Sequence, residues 1–357
     1  MDYIQGINTY HKGRWPLMMN RCSIIFGGTG FIGTFFAKEI LSKNLVDKVY
    51  LVDIEDLKDK ENSFLKIHAL KDESIKFIFG DVRKKLNNIK VNEKIEFICN
   101  FAAVHREPGH EYYEYFDTNI PGAKNVCEYA TNNNCRKIIF TSSISPYGES
   151  EDVKDETYIP KPTSPYGKSK LQAESIHKEW LRISPENKLI ILRPGVVYGP
   201  GEGGNVTRLL KAIRNYYFFY MGNHQTRKAG IYIKELCNIL LWENDRLNNL
   251  GFNFSLMNAT VDPAPSVEEY VKTICKVGNY KRIFLNVGFP FILTVSYILN
   301  FFFKIVGKNS EINPVRVRKL IKSNNISPNY LKRNGYHFSF SLEEAFRDWK
   351  KEHPKDW

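Results

Sequence analysis

No C-x-x-C pair occurs in this chain, and its six cysteines (Cys22, Cys99, Cys127, Cys135, Cys237 and Cys275) are scattered along it. That spacing excludes a disulfide framework and a cysteine zinc site, and fits the reduced thiols of a cytoplasmic protein; no metal is expected. An apolar leader is also missing. Residues 1–20 are polar and aromatic, pass through Met18-Met19, and are expected to be an extension ahead of a fold that starts at Arg21. Internal repeats and low-complexity tracts are absent, which excludes solenoids and disordered arrays. The net charge is +12, yet no DNA- or RNA-binding motif accompanies it, so nucleic acid is not an expected partner.

Acid is scarce where base is dense. Lys304 to Arg333 holds eight Lys/Arg and one acid, Glu311. This run follows a stretch from Ile283 to Phe303 with no charge at all. The layout suits an anionic membrane surface or a substrate phosphate. Twenty-one uncharged residues are enough to span a bilayer, but Pro290 interrupts a continuous helix near its start. A buried or interface-lying helix is therefore expected, with peripheral membrane contact through 283–306 as its functional form.

What the chain does have is an ordinary globular balance, 43% hydrophobic and 25% charged over 357 residues. That length suits one large α/β domain with a smaller appended part. Short apolar runs at Ser23–Phe26, Lys48–Val52, Lys76–Phe79, Phe97–Phe101, Lys137–Thr141 and Leu189–Leu192 read as strands. Helical spacing lies between several of them, at Phe31–Leu41, Asn119–Asn132 and Tyr166–Arg182. Alternation of this kind predicts an α/β, doubly wound parallel sheet, a Rossmann fold. The expected division is a dinucleotide-binding domain over 21–198 and a substrate-binding part over 199–357, with 230–258 returning to the sheet.

The first strand runs into Gly27-Gly28-Thr29-Gly30-Phe31-Ile32-Gly33. Gly27, Gly30 and Gly33 allow a sharp strand-to-helix turn and let a pyrophosphate approach bare N–H groups at a helix N-terminus. Asp53 ends the second strand, where a carboxylate accepts both ribose hydroxyls and repels a 2′-phosphate. The next residues, Ile54-Glu55-Asp56, include no arginine, so NAD is expected rather than NADP. Asp81 closes the third strand near the adenine position, and Phe101-Ala102-Ala103 closes the fourth.

The fifth strand delivers Ser142-Ser143 at its end. Ser164-Pro165 then opens a helix as N-cap and first-turn residue, which puts Tyr166 and Lys170 at i and i+4 on one face. A free tyrosine titrates at about 10, so a neighbouring ammonium and an oxidised nicotinamide are needed to make it a base. Ser143 would hold the substrate oxygen.

With GGTGFIG (27–33), VDI (52–54), GDV (80–82), NFAAVH (100–105), DTNIPGAKNV (117–126), TSSISPYG (141–148), SPYGKSK (164–170) and LRPGVVYGPG (192–201), the sequence resembles the extended short-chain dehydrogenase/reductases. Within them it resembles the NAD-dependent epimerase/dehydratase family, over roughly residues 21–352. The resemblance implies catalysis by Ser143, Tyr166 and Lys170. It implies cofactor contacts at Gly27, Phe31, Ile32, Asp53, Asp81, Val82, Ala102, His105, Asn119, Pro194 and Val196. A homodimer is expected.

The shared step of such enzymes oxidises a sugar hydroxyl, with tyrosine taking the proton. An epimerase lets the ketone turn and returns hydride to its other face. The family's dehydratases need an Asp-Glu pair directly after the catalytic hydroxyl residue; Ile144 and Ser145 stand there, so dehydration is not expected. Asn205, Arg208, Arg227, Lys228 and Arg316 are the candidates to bind a nucleotide-sugar. The expectation is thus an NAD-dependent nucleotide-sugar epimerase. The alternatives are a keto-sugar reductase and, from Pro290 and the apolar helix after it, a dehydrogenase resembling the 3β-hydroxysteroid branch or acting on a lipid-linked substrate. A non-catalytic NAD-binding regulator is a remote third reading, disfavoured by the intact Ser-Tyr-Lys set.

Overall fold

The computed structural model describes residues 20–58, 64, 72–107, 109–305 and 322–357. Its elements run β1 (Arg21–Phe26), α1 (Phe31–Ser42), β2 (Lys48–Asp53), β3 (Ile75–Phe79), β4 (Lys94–Asn100), α2 (Tyr112–Asn132), β5 (Lys137–Thr141), α3 (Pro165–Ile183) and β6 (Lys188–Pro194). Then follow β7 (Val196–Tyr198), α4 (Asn205–Arg214), β8 (Tyr220–Met221), β9 (Gly230–Tyr232), α5 (Ile233–Asn249), β10 (Phe254–Ala259), α6 (Val267–Gly278), β11 (Asn286–Val287), α7 (Phe289–Ile305), α8 (Asn329–Arg333) and α9 (Leu342–Glu352).

Seven strands form one sheet in the order β3-β2-β1-β4-β5-β6-β10, and every pairing is parallel. This is the expected Rossmann-type α/β fold. A strand buried on both faces has no polar side to show, which is why β5 is buried throughout and β1 nearly so. Successive residues of one strand feed opposite cores. Ile24, Phe26, Ile138 and Phe140 join one apolar cluster, and Ile25 and Ile139 join the other. The edge strand β3 is instead fully buried only at Ile75 and exposed at Lys76 and Phe79.

One expectation about boundaries is corrected. Helix α2 begins at Tyr112, seven residues before the anticipated start at Asn119. A capping box between Glu111 and Glu114 starts it, so that Pro121 lies inside the helix and not in its first turn. In the segment 230–258, only β10 joins the main sheet; β9 pairs with β7 in a separate two-stranded sheet. Residues 1–19 and 306–321, including Arg316, lie outside the described residues. No helix among the described residues is long and apolar enough to cross a membrane.

Candidate active site

Because the strands are parallel, the chain leaves β1, β2, β4, β5 and β6 at the same edge of the sheet. At the end of β1, Gly27 has φ +72°, and a β-carbon there would lie 2.5 Å from the Ala102 backbone nitrogen. At Gly33 it would lie 2.6 Å from the Gly28 carbonyl. Side chains are thus excluded where the loop meets the start of α1. Gly30 is less constrained, its nearest neighbour being the Gly27 carbonyl at 3.1 Å. Gly28, which the sequence reading passed over, is the tighter position: a β-carbon would lie 2.5 Å from the Ile25 carbonyl.

Helix α1 has no side-chain cap and no acid in its first turn, so its positive end faces outward. Phe31 and Ile32 open that turn, with the Phe31 ring edge-on to Phe35. Asp53 is held beside the loop: its Oδ2 accepts from Thr29 Oγ1 at 2.8 Å and Thr29 N at 3.3 Å. Its Oδ1 accepts from Ile54 N at 2.8 Å. Oδ1, with a single donor on it, keeps acceptor capacity for a ribose hydroxyl. A bare-backbone loop, an open helix end and a fixed acid fit a dinucleotide pyrophosphate and ribose.

The remaining cofactor candidates divide into surfaces and braces. Ala102 and Ala103 leave the end of β4 without bulk, while the Phe101 ring packs edge-on against Phe36. Asp81 is clasped by Arg83 through Nε at 2.9 Å and Nη2 at 2.7 Å, and that guanidinium holds its carboxyl below the usual range. Val82 is buried, and its carbonyl accepts from Asn125. Asn119 bridges Val104 and Ser169, so its amide ties the loop after β4 to α3. His105 is exposed in the same loop. The Pro194 carbonyl accepts from Ile144 N, and Val196 N donates to the Ala229 carbonyl.

At the same sheet edge, the end of β5 carries Ser143 and the first turns of α3 carry Tyr166 and Lys170. Ser164 caps α3 by accepting from Gly167 N at 3.1 Å, with Pro165 in the first turn, as the sequence predicts. Tyr166 is half-buried and its ring lies 6.1 Å from that of Tyr115. Burial pushes its hydroxyl up to about 12, with the nearby Ser143 hydroxyl acting the other way. Ser143 is 9% exposed, and its Oγ lies 3.1 Å from both the nitrogen and Oγ of Ser145. Lys170 is 2% exposed, sits 4.5 Å above the Phe140 ring, and is pushed by burial down to about 7.

Behind this trio lies a polar layer that the sequence reading missed. Glu174 accepts from Ser142 Oγ at 2.5 Å and takes both Nε and Nη2 of Arg193, at 2.8 and 2.6 Å. Arg193 also stacks on Tyr147. One turn on, His177 contacts the Ala173 carbonyl and Asn100 and stacks on Phe140. Burial holds it down to about 4. The signal was present: 166, 170, 174 and 177 share one helical face.

Of the substrate candidates, Asn205 and Arg208 are exposed at the start of α4 and bonded to each other at 2.7 Å. Glu202 reaches the same helix end, accepting from Thr207 N and Oγ1. Arg227 Nη1 donates to the Ala264 carbonyl and Lys228 Nζ to the Lys322 carbonyl, both at 2.6 Å.

The profile of the NAD dependent epimerase/dehydratase family matches residues 23–249. The N-acetyl-α-D-glucosaminyl-diphospho-ditrans,octacis-undecaprenol 4-epimerase of Escherichia coli O157:H7 is 27% identical over 92% of this chain and 93% of its own. The UDP-glucose 4-epimerase of Mycoplasma genitalium is 31% identical over 66% and 78%. The UDP-glucuronic acid 4-epimerase of Bacillus cereus, solved in complex with NAD, superposes with a TM-score of 0.72 at 18% identity, covering 94% of this chain and 99% of that one. The chain therefore belongs to the NAD dependent epimerase/dehydratase family and is an enzyme of that family with NAD as its cofactor.

Proposed function

We propose that the protein is a sugar-diphosphate 4-epimerase. The observation that carries this reading is a half-buried Tyr166 beside the Ser143 hydroxyl, with a buried Lys170 one turn on along α3 and no carboxylate directly following Ser143. When bound, NAD supplies a hydride acceptor and then a donor at the sugar carbon. Ser143 donates a hydrogen bond to the reacting sugar oxygen and Tyr166 takes its proton. Lys170, when charged, lowers the cost of the phenolate. Once the ketone has turned over, Tyr166 returns the proton. Ile144 and Ser145 have no group able to eliminate water, which separates this reaction from dehydration.

The cofactor contacts follow from the same arrangement. Gly27 to Gly33 and the first turn of α1 meet the pyrophosphate. Asp53 would hold the ribose, Asp81 and Val82 would border the adenine, and Phe101, Ala102, Ala103 and His105 would line the nicotinamide side. Asn119, Pro194 and Val196 position the backbone around it. Asn205 and Arg208, exposed together at the start of α4, meet the substrate diphosphate, and Arg227 and Lys228 support that wall through Ala264 and Lys322.

The carrier on the diphosphate is proposed to be a polyprenol. The undecaprenol-linked relative matches the chain almost end to end, and the uncharged 283–303 segment gives an apolar carrier a surface. The test is to supply N-acetylglucosamine as its UDP and its polyprenyl diphosphate conjugates and to analyse the released sugar. Formation of the C4 epimer from the lipid conjugate in preference to the UDP conjugate is expected. Net NADH consumption without epimer would overturn the reading in favour of a reductase.

A further inference from the structure

Helix α7 is inside out. Ser296 is fully buried and Ile292 nearly so, whereas Phe291, Tyr297, Ile298, Phe301 and Phe302 are 67, 49, 51, 63 and 58% exposed. A helix on a water-facing surface buries its aromatic stripe and shows its serine. The exposed Thr294 turns its hydroxyl back onto the helix, Oγ1 donating to the Pro290 carbonyl at 2.9 Å, and the buried Ser296 Oγ donates to the Leu293 carbonyl at 2.7 Å.

The apolar surface continues beyond the helix. Ile283 is 98% and Leu285 74% exposed, and Tyr216 and Tyr217 are 76 and 60% exposed. These segments are tied together. β11 pairs with β8, Tyr220 N donates to the Leu285 carbonyl, and the Arg282 guanidinium lies 3.4 Å from the Tyr216 ring centroid.

The stretches that build this surface are poor in acid. No Asp or Glu occurs between Glu202 and Glu235 or between Glu269 and Glu311, and those two stretches hold twelve Lys/Arg. Lys234, Lys272 and Lys276 pair with acids from outside these stretches. Arg214 and Arg282 donate to backbone carbonyls, which leaves their charge uncancelled by those bonds. The helix has 17 residues, about 25 Å at 1.5 Å per residue, against a hydrocarbon core of about 30 Å.

We propose that α7, with Ile283, Leu285, Tyr216 and Tyr217, lies flat in the surface of an anionic lipid bilayer. Phenylalanines enter the acyl boundary, tyrosines sit at the headgroups, and Arg214, Lys281 and Arg282 meet the lipid phosphates. A second copy of the chain fits less well, because a two-fold contact would bring this cation-rimmed face against itself. The docking is independent of the reaction assigned above, and its test reads binding alone.

The full chain is sedimented with vesicles of phosphatidylcholine alone and of phosphatidylcholine with phosphatidylglycerol. Binding to the mixed vesicles, weakening as salt rises, is expected. The double variant Phe301→Ser/Phe302→Ser, with its NAD binding checked, is expected to bind those vesicles roughly tenfold less or weaker still. Wild-type protein left in the supernatant with both vesicles would overturn the proposal. So would equal binding by a variant that still binds NAD, or a soluble dimer that the variant abolishes while no vesicle binding is seen.

Discussion

Burial pushes the Lys170 ammonium down to about 7 from 10.5 and the Tyr166 hydroxyl up to about 12 from 10, so both groups favour their neutral forms. Function asks for the opposite, a phenolate beside an ammonium. The cost is visible in linkage. The folded-state pKa of Lys170 lies below the unfolded one, so the unfolded chain binds more protons between pH 7 and 10.5. Its contribution is least favourable below pH 7 and improves as pH rises through that window. Lys170→Met is therefore expected to stabilise the NAD-free protein at pH 7 by up to about 4 kcal/mol, with the gain fading by pH 10.5, as read by urea unfolding at both pH values. The same variant loses the cation that favours the phenolate, so the rising limb of its pH–kcat/KM profile is expected to move to higher pH. Tyr166→Phe leaves the cofactor loop intact; a fall in turnover of roughly a thousandfold with unchanged NAD affinity by calorimetry is expected.

At the scale of elements, α3 does more than present two residues. Its inner face continues from Tyr166 and Lys170 to Glu174, which clasps Arg193 on β6 and Ser142 at the end of β5. Ser143 is thus fixed by its neighbour's bond to a buried ion pair. Arg193→Met leaves the buried Glu174 carboxylate with only the Ser142 hydroxyl and Lys178 Nζ at 4.0 Å, and is expected to cost about 3 kcal/mol in chemical denaturation. Adding Glu174→Gln to that variant is expected to recover part of the loss. The first half of the chain was legible because most of its parallel strands are largely apolar runs that close on local signals: the glycines after β1, Asp53 at the end of β2, Gly80-Asp81 after β3 and Ser142-Ser143 after β5. The second half was not. β7–β9 and β8–β11 are pairings of three and two residues, joined by contacts far apart in sequence, and leave no periodicity to read. The catalytic candidates were found because a cap, a proline and an i, i+4 pair are local signals. Arg193 escaped notice because its partner Glu174 lies on another element. The start of α2 was misplaced because Pro121 signals a boundary, whereas the Glu111–Glu114 box that begins the helix lies well upstream of Ile120-Pro121 and is built from glutamates, which are weaker start signals than serine or threonine.

Over the whole molecule, a sheet edge that gathers the site faces a second half rich in base and exposed aromatics. In the proposed reading the sheet with its glycine loop holds NAD, and the second half, with α4, α5 and α7, receives the substrate. NAD binds only the folded chain, so its addition is expected to raise the melting temperature in proportion to the logarithm of its concentration above Kd. Asp53→Ala is expected to shift that titration to higher NAD by roughly tenfold or more. The 3β-hydroxysteroid-like alternative rested on Pro290 and the apolar run, and the outward set of α7 gives that run a use at a lipid surface without a steroid pocket. The central claim is that the sugar hydrogen leaves as hydride and returns from the same enzyme-held pool, with only the hydroxyl proton passing through Tyr166. Epimerisation run to equilibrium in deuterium oxide tests this most directly. Mass spectrometry of the product sugar is predicted to show no deuterium at the inverted carbon; deuterium there would mean inversion by proton removal from carbon and would contradict the account.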